Sequence, residues 1–330
     1  MKLAGIGELP LLEKLRDRFS RNKAGILLGI GDDAAAIRPS ALPLLLTTDM
    51  MVGGVHFDLS YTTPYQVGFK LVTVNVSDIY AMGGTPQYLL LDFGAPGTME
   101  MKSFTRLFDG VEDAMRLYGV SLVGGDISSA GELVLSATVV GRGEKVLRRS
   151  GARAGDRIYV TGHLGDSACG HALLKKMKRP IEIERGKKML LPRLPWSVIR
   201  PLVARHLLPT AVRPGRYVAA ASAMMDISDG LLIDLSRLCR ESGVGAVVYE
   251  EGIPVSDELR AASAYLRRDP LEFAAAGGED YELLFTSPRR GVAGAFCVGE
   301  ITERGLMMKD RQGRVRKISA RGYRHFGIQG

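Results

Sequence analysis

The chain has 330 residues, 46% of them hydrophobic and 24% charged, the balance of a folded globular protein rather than a disordered one and enough for two cores of ordinary size. Its three cysteines, Cys169, Cys239 and Cys297, form no CxxC pair, which argues against a disulfide framework or a zinc site and fits a reducing, cytoplasmic setting. The net charge of +8 is uneven, with 15 Lys+Arg against 16 Asp+Glu in residues 1–150 and 29 against 20 in residues 151–330.

In chain order, residues 9–20 carry Leu11, Leu12, Leu15 and Phe19 at helical spacing. Short apolar runs at 34–37 and 44–48 read as strands. Pro64 opens a helix that runs to about residue 82 and stops at Gly83-Gly84. Residues 88–93 read as a strand and 101–118 as a helix. Leu122-Val123 then leads into a Gly124-Gly125-Asp126 turn, and 133–140 is a strand rich in β-branched residues. The stretch 143–156 is polar, basic and glycine-containing, so the composition shift places a domain boundary there: 1–145 and 146–330. Beyond it, 157–161 is a strand, 166–176 and 197–207 are helices, 223–225 is a short apolar run and 231–239 an amphipathic helix. Strands are expected at 246–249, 282–286, 296–298 and 314–318. Helices and strands alternate in both halves, so the class is α/β, with α+β as the variant. No apolar run approaches the roughly 18 residues of a membrane helix. Residues 1–19 lack the continuous apolar core of a signal peptide.

The aspartates carry the chemistry. Asp32 and Asp33 follow Gly29-Ile30-Gly31, Asp49 ends the run from Leu44, Asp126 follows Gly124-Gly125, and Asp226 and Asp229 lie in Met225-Asp226-Ile227-Ser228-Asp229-Gly230. Strand ends beside glycine turns are where α/β folds place ligands. Any one Asp-Gly turn is better read as an ordinary turn or cap; their number is what points to a site. Asp78 differs, lying on the apolar helix face of Val67, Leu71 and Val74. A carboxylate there calls for a partner, a metal in preference to a neighbouring loop that it caps. Two carboxylates 4 Å apart repel by about 4 kcal/mol at an effective dielectric of 20. Converging aspartates therefore call for divalent cations, and an all-oxygen donor set selects Mg²⁺ or Mn²⁺ over zinc.

Other nucleotide and hydrolase signatures are missing. There is no GxxxxGK[ST], no third glycine after Gly29-x-Gly31 and no GxSxG. His163, His171, His206 and His325 look scattered and read as structural or surface residues. The basic excess is densest between residues 175 and 216. That stretch lacks interleaved aromatics and a recognition motif, so a solvated basic face is preferred over a nucleic-acid partner.

The chain resembles the thiamine-monophosphate kinases, of the aminoimidazole-ribonucleotide-synthetase-like ATP-binding superfamily. The resemblance rests on Gly29-Ile30-Gly31-Asp32-Asp33-Ala34, Thr47-Thr48-Asp49, His56-Phe57, Asn75-Val76-Ser77-Asp78 with Ala81-Met82-Gly83, and Gly124-Gly125-Asp126. It continues through Arg149-Ser150-Gly151-Ala152, Gly155-Asp156, Tyr159-Val160-Thr161-Gly162, Asp226-Ile227-Ser228-Asp229-Gly230-Leu231, Gly277-Gly278-Glu279-Asp280-Tyr281-Glu282-Leu283 and Gly322-Tyr323. Each motif is weak alone; their joint order is specific.

The resemblance implies an N-terminal α/β domain that binds metal and ATP and pairs with its copy into a central β-barrel of a homodimer. A C-terminal α/β domain would complete the active-site cleft. The implied reaction moves the γ-phosphoryl of ATP onto thiamine monophosphate. By the same resemblance, Asp33, Thr47, Thr48, Asp49, Asp78, Asp126, Asp226 and Asp229 would hold several Mg²⁺ ions. Gly125, Asp126, Arg149 and Ser228 would contact ATP, and His56, Glu279 and Tyr323 the thiamine phosphate. No residue would act as a covalent nucleophile or general base. Three features depart from the family pattern: Ile127 replaces a threonine, Pro209-Thr210-Ala211-Val212 replaces Pro-x-Pro-Arg, and the basic stretch 175–200 has no counterpart. The alternatives are another ATP-using member of the superfamily with a different small acceptor, or a non-catalytic nucleotide or polyanion binder.

Overall fold

The structure is a computed structural model that describes residues 2–6, 8–19, 25–28, 35–188 and 190–323. The chain divides into two compact units, residues 1–79 with 84–144, and residues 80–83 with 145–330.

In the first unit the elements are α1 (Glu8–Phe19), β1 (Ile26–Leu28), β2 (Ala36–Ile37), β3 (Leu44–Val52), α2 (Pro64–Ala81), β4 (Thr85–Ala95), α3 (Met101–Tyr118), β5 (Ser121–Ser129) and β6 (Val134–Arg142). A four-stranded sheet has the order β3-β6-β4-β5. β6 runs antiparallel to both neighbours, and β4 and β5 are parallel. Pro64 starts α2, where its missing N–H costs nothing. Gly119 ends α3 in the left-handed region, its N–H bonded to the Met115 carbonyl. Leu71, Val72 and Val76 of α2 are fully buried. So are the polar Thr73 and Asn75, each bonded to a carbonyl one turn back, Phe69 and Leu71. Where α2 meets α3, a Cβ on Gly68 would collide with the Leu107 carbonyl and one on Gly110 with that of Tyr65. Glycine at both positions is what lets the helices approach so closely.

In the second unit the elements are β7 (Arg157–Val160), α4 (Asp166–Met177), α5 (Trp196–Leu207), α6 (Gly215–Val218), β8 (Ala223–Asp226), α7 (Leu231–Ser242), β9 (Gly245–Tyr249), α8 (Asp257–Leu266), α9 (Pro270–Ala276), β10 (Leu283–Ser287), β11 (Phe296–Thr302), β12 (Leu306–Lys309) and β13 (Val315–Lys317). They build a seven-stranded sheet of order β13-β12-β9-β11-β7-β10-β8. It is antiparallel except for β9 with β12. Ile158, Val160, Leu231, Leu235, Leu238 and Val298 form part of its core. The caps of α8 and α9 are local: Ser256 Oγ accepts from the Leu259 N–H and Asp269 from the Leu271 N–H.

Several expectations change. The Gly-Gly-Asp segment is no turn: β5 runs straight through it, because pairing with β4 draws it out as strand. The run at 34–37 contributes only β2, and Ala34 lies outside the described residues. α8, α9 and β12 were not anticipated, being too short for a clear period. No helix among the described residues is long and apolar enough to cross a membrane.

Candidate active site

Successive side chains of a strand point to opposite faces, and β3 shows the consequence. Thr47 and Asp49 turn toward α2, where Thr47 Oγ1 donates to Asp78 Oδ2 at 2.5 Å. The Asp49 N–H donates to Asn75 Oδ1 at 3.1 Å, and Asn75 Nδ2 donates in turn to the Leu71 carbonyl. Burial first, and then the charge of Asp78, push the Asp49 carboxyl up to about 6. Two acids and a hydroxyl are thus held together between β3 and α2.

Thr48 is not gathered with them. It faces the other way, donating to the Ala137 carbonyl at 3.1 Å and accepting from Thr138 Oγ1 at 3.1 Å. On that second face Asp126 of β5 stands opposite Asp92 of β4, which in turn pairs with Ser136 of β6. Asp92 was not singled out in the sequence, since no glycine turn marks it. Gly125 takes φ 146°, and a Cβ there would strike the Leu91 backbone; the β4–β5 approach requires it. His56 closes the turn after β3, its Nδ1 accepting the Val52 N–H at 3.0 Å. Asp33 lies outside the described residues. Among the described residues, no group of three or more His, Cys, Asp or Glu side chains is gathered closely enough to hold a metal ion.

In the second unit β8 ends at the buried Asp226, and the loop 227–230 leads into α7. The loop is tied on both sides. Its Ser228 carbonyl accepts from the Glu279 N–H at 2.7 Å, its Ile227 carbonyl from Tyr281 at 2.9 Å, and its Asp229 carbonyl from Tyr323 at 3.1 Å. Those bonds bring Asp226, Ser228, Asp229, Glu279 and Tyr323 together at one end of the sheet. Glu279 and Tyr281 take φ 65° and 51°, strained values for residues with side chains and of a kind that collects at working sites.

Behind this segment the last turn of α5 supplies two basic side chains. Arg205 pairs with Glu282, and His206 Nδ1 meets Glu279 Oε2 at 3.0 Å. His206, read from the sequence as merely scattered, therefore sits against a candidate substrate residue. Asp280 is fully buried, and burial pushes its carboxyl up to about 8. Arg149 is not gathered with the others. It is exposed, and its carbonyl takes the hydroxyl of Ser242 at the last residue of α7, about 16 Å along that helix from Leu231 at 1.5 Å per residue.

Two side chains absent from the sequence reading complete the loop. Asp234 accepts from the loop's backbone, and Arg237 bridges Asp234 and Asp229. Burial first, and then Asp229, push the Asp234 carboxyl up to about 6. A carboxylate in the first turn of a helix is a sequence signal for this, and a common one.

Residues 31–143 match the family model for the N-terminal domain of AIR synthase related proteins, and residues 153–307 match that for the C-terminal domain. A thiamine-monophosphate kinase of Aquifex aeolicus is 36% identical over 331 residues, 99% of this chain and all of the relative. A solved structure described as AaThiL complexed with AMPPCP and TMP is 34% identical, with a TM-score of 0.75 and 99% of each chain covered. The thiamine-monophosphate kinase of Stenotrophomonas maltophilia K279a is 33% identical, with a TM-score of 0.77 over 93% of this chain and 97% of that one. Fold and paired domains define an AIR synthase related protein of two α/β units. Within that class, the chain belongs to the thiamine-monophosphate kinase family.

Proposed function

We propose that the chain transfers the γ-phosphoryl group of ATP to the phosphate of thiamine monophosphate, giving thiamine diphosphate and ADP. The observation that carries this is end-to-end similarity to thiamine-monophosphate kinases, one of them complexed with AMPPCP and TMP. Phosphoryl transfer needs positioning and charge neutralisation more than a reactive side chain. The acceptor phosphate is already ionised at neutral pH, so no residue need serve as general base.

The donor set is one of hard oxygens, and Asp49 with Asp78 forms a pair of acids that repel without a cation, which suits Mg²⁺. By the resemblance, Asp33, Thr47, Thr48, Asp49, Asp78, Asp126, Asp226 and Asp229 would hold several such ions; Thr47 and Asp49 lie with Asp78, and Thr48 and Asp126 on the opposite face of the sheet. When bound there, Mg²⁺ would neutralise phosphate oxygens and so lower the repulsion between donor and acceptor anions. Ser228, Gly125, Asp126 and Arg149 are assigned to ATP by the resemblance; the fork of donors on Arg149 suits a phosphate, and its backbone stands at the end of α7 away from the 226–230 loop. His56, Glu279 and Tyr323 are assigned to thiamine monophosphate. Glu279 meets the aminopyrimidine or the thiazolium charge, and the half-exposed Tyr323 ring offers a stacking face. The bond of His206 to Glu279 supports a fixed orientation for that carboxylate.

A homodimer is supported by the outward face of β3, where Leu44, Leu46 and Met50 are exposed in alternation. A cytoplasmic location agrees with the three free cysteines. The test is turnover of purified protein with ATP, thiamine monophosphate and Mg²⁺, following thiamine diphosphate, with EDTA as control. Metal-dependent product is expected. A folded protein that binds ATP but makes no thiamine diphosphate would reject this acceptor.

A further inference from the structure

We infer that Asp234 and Arg237 are a positioning pair that sets the 226–230 loop for phosphoryl transfer, an inference that rests on the assignment of this loop to ATP and metal. Asp234 is completely buried. Its Oδ2 accepts three consecutive backbone N–H groups, those of Ser228 at 3.1 Å, Asp229 at 3.0 Å and Gly230 at 3.1 Å. Its Oδ1 takes Arg237 Nη1 at 2.7 Å, and the same nitrogen reaches Asp229 Oδ2 at 2.6 Å.

Three converging amides make a concavity that binds anions. Here the protein fills it with its own carboxylate. Two consequences follow for the reaction. These amides are already committed, so phosphate contacts from this loop fall to the Ser228 hydroxyl and to any cation that Asp226 and Asp229 would hold. The loop is also set in shape before any ligand arrives, and preorganised groups work in the transition state without reorganising. Arg237 adds direction: it fixes which way Asp229 points and offsets the repulsion between Asp229 and Asp234. The loop's carbonyls in turn hold the backbone of Glu279, Tyr281 and Tyr323. Neither Asp234 nor Arg237 need touch substrate.

The test compares Arg237→Gln, Arg237→Lys and Asp234→Asn with the parent protein. Each is checked for folding by thermal melting, then measured for kcat, for KM of both substrates, and for amide exchange by mass spectrometry. Arg237 is part-exposed, so Arg237→Gln should fold and decides the matter even if Asp234→Asn does not. The expected result for Arg237→Gln is a kcat more than about tenfold lower, with KM for thiamine monophosphate shifted less than about threefold. The amides still bonded to Asp234 would keep Glu279 and Tyr323 in place. Arg237→Lys should recover much of the loss, since an ammonium can bridge the two carboxylates. Asp234→Asn should speed exchange at residues 228–230 while β8 stays protected. The inference is overturned if folded Arg237→Gln keeps kcat within about twofold of the parent. Unchanged exchange at 228–230 in a folded Asp234→Asn protein overturns it too. Failure of the parent to turn over thiamine monophosphate is a different result. It sinks the proposed substrate, and the exchange measurement still decides the loop.

Discussion

Asp49 carries a charge that its surroundings disfavour. Its carboxyl rises to about 6 through burial and through Asp78, well above the value near 3.9 of an unfolded chain. The sign follows from proton uptake: between about pH 4 and 6 the folded protein holds more protons than the unfolded one, so stability falls as pH rises across that window. Above it, the metal-free protein bears a penalty on the order of 3 kcal/mol. Asp49→Asn should therefore raise the melting temperature of EDTA-treated protein at pH 7.5 and hardly change it at pH 4. The same variant should lose turnover by more than about a hundredfold. Normal activity in Asp49→Asn and in Asp78→Asn would sink the metal assignment. Added Mg²⁺ should raise the melting temperature more at pH 7.5 than at pH 5, because a ligating carboxyl must first give up its proton. Equal Mg²⁺ shifts at both pH values, or none, would count against Asp49 as a ligand.

Elements were legible to the degree that their signals are local. α2 and α3 follow from proline, glycine and the spacing of apolar residues, and the structure places them within a residue of expectation. The Gly-Gly-Asp segment misled because two glycines signal a turn in isolation. The parallel partner that makes it a strand lies some 30 residues away, at Leu90–Asp92 against Gly124–Asp126. The α2–α3 crossing was likewise invisible, because nothing in the chain says that Gly68 meets Leu107 and Gly110 meets Tyr65. Gly110→Ala gains helix propensity yet drives a methyl into a carbonyl. A net loss of about 2–4 kcal/mol is expected, read as a shift in the urea midpoint. A neutral or stabilised variant would show that the helices can part at little cost.

For the molecule as a whole, the outward row of β3 is the feature with a consequence. Leu46 is 68% and Met50 55% exposed, on a strand that among the described residues pairs with β6 alone. Large apolar side chains in a row on a sheet mark a surface meant to be covered. The pair Leu46→Glu and Met50→Glu should convert a dimer to a monomer in sedimentation, with the first unit still folded. A parent protein that sediments as a monomer at micromolar concentration would reject the pairing.

The sequence by itself determined the class and the family, because composition, apolar period and the order of short motifs are properties of the chain that survive without coordinates. It also named Asp49, Asp78, Asp226, Asp229 and Glu279 as residues to watch. Strand alternation even held the hint that neighbours Thr47 and Thr48 must face apart. Only the tertiary structure decided which residues meet. It joined Thr47 and Asp49 to Asp78 and left Thr48 on the other face with Asp92 and Asp126. It set His206 against Glu279, and it gave three amides of one loop to Asp234. The physical reason is range. Periods and turns are written within a few residues, whereas hydrogen bonds and ion pairs depend on distances of about 3 Å between groups far apart in the chain, and only packing sets those.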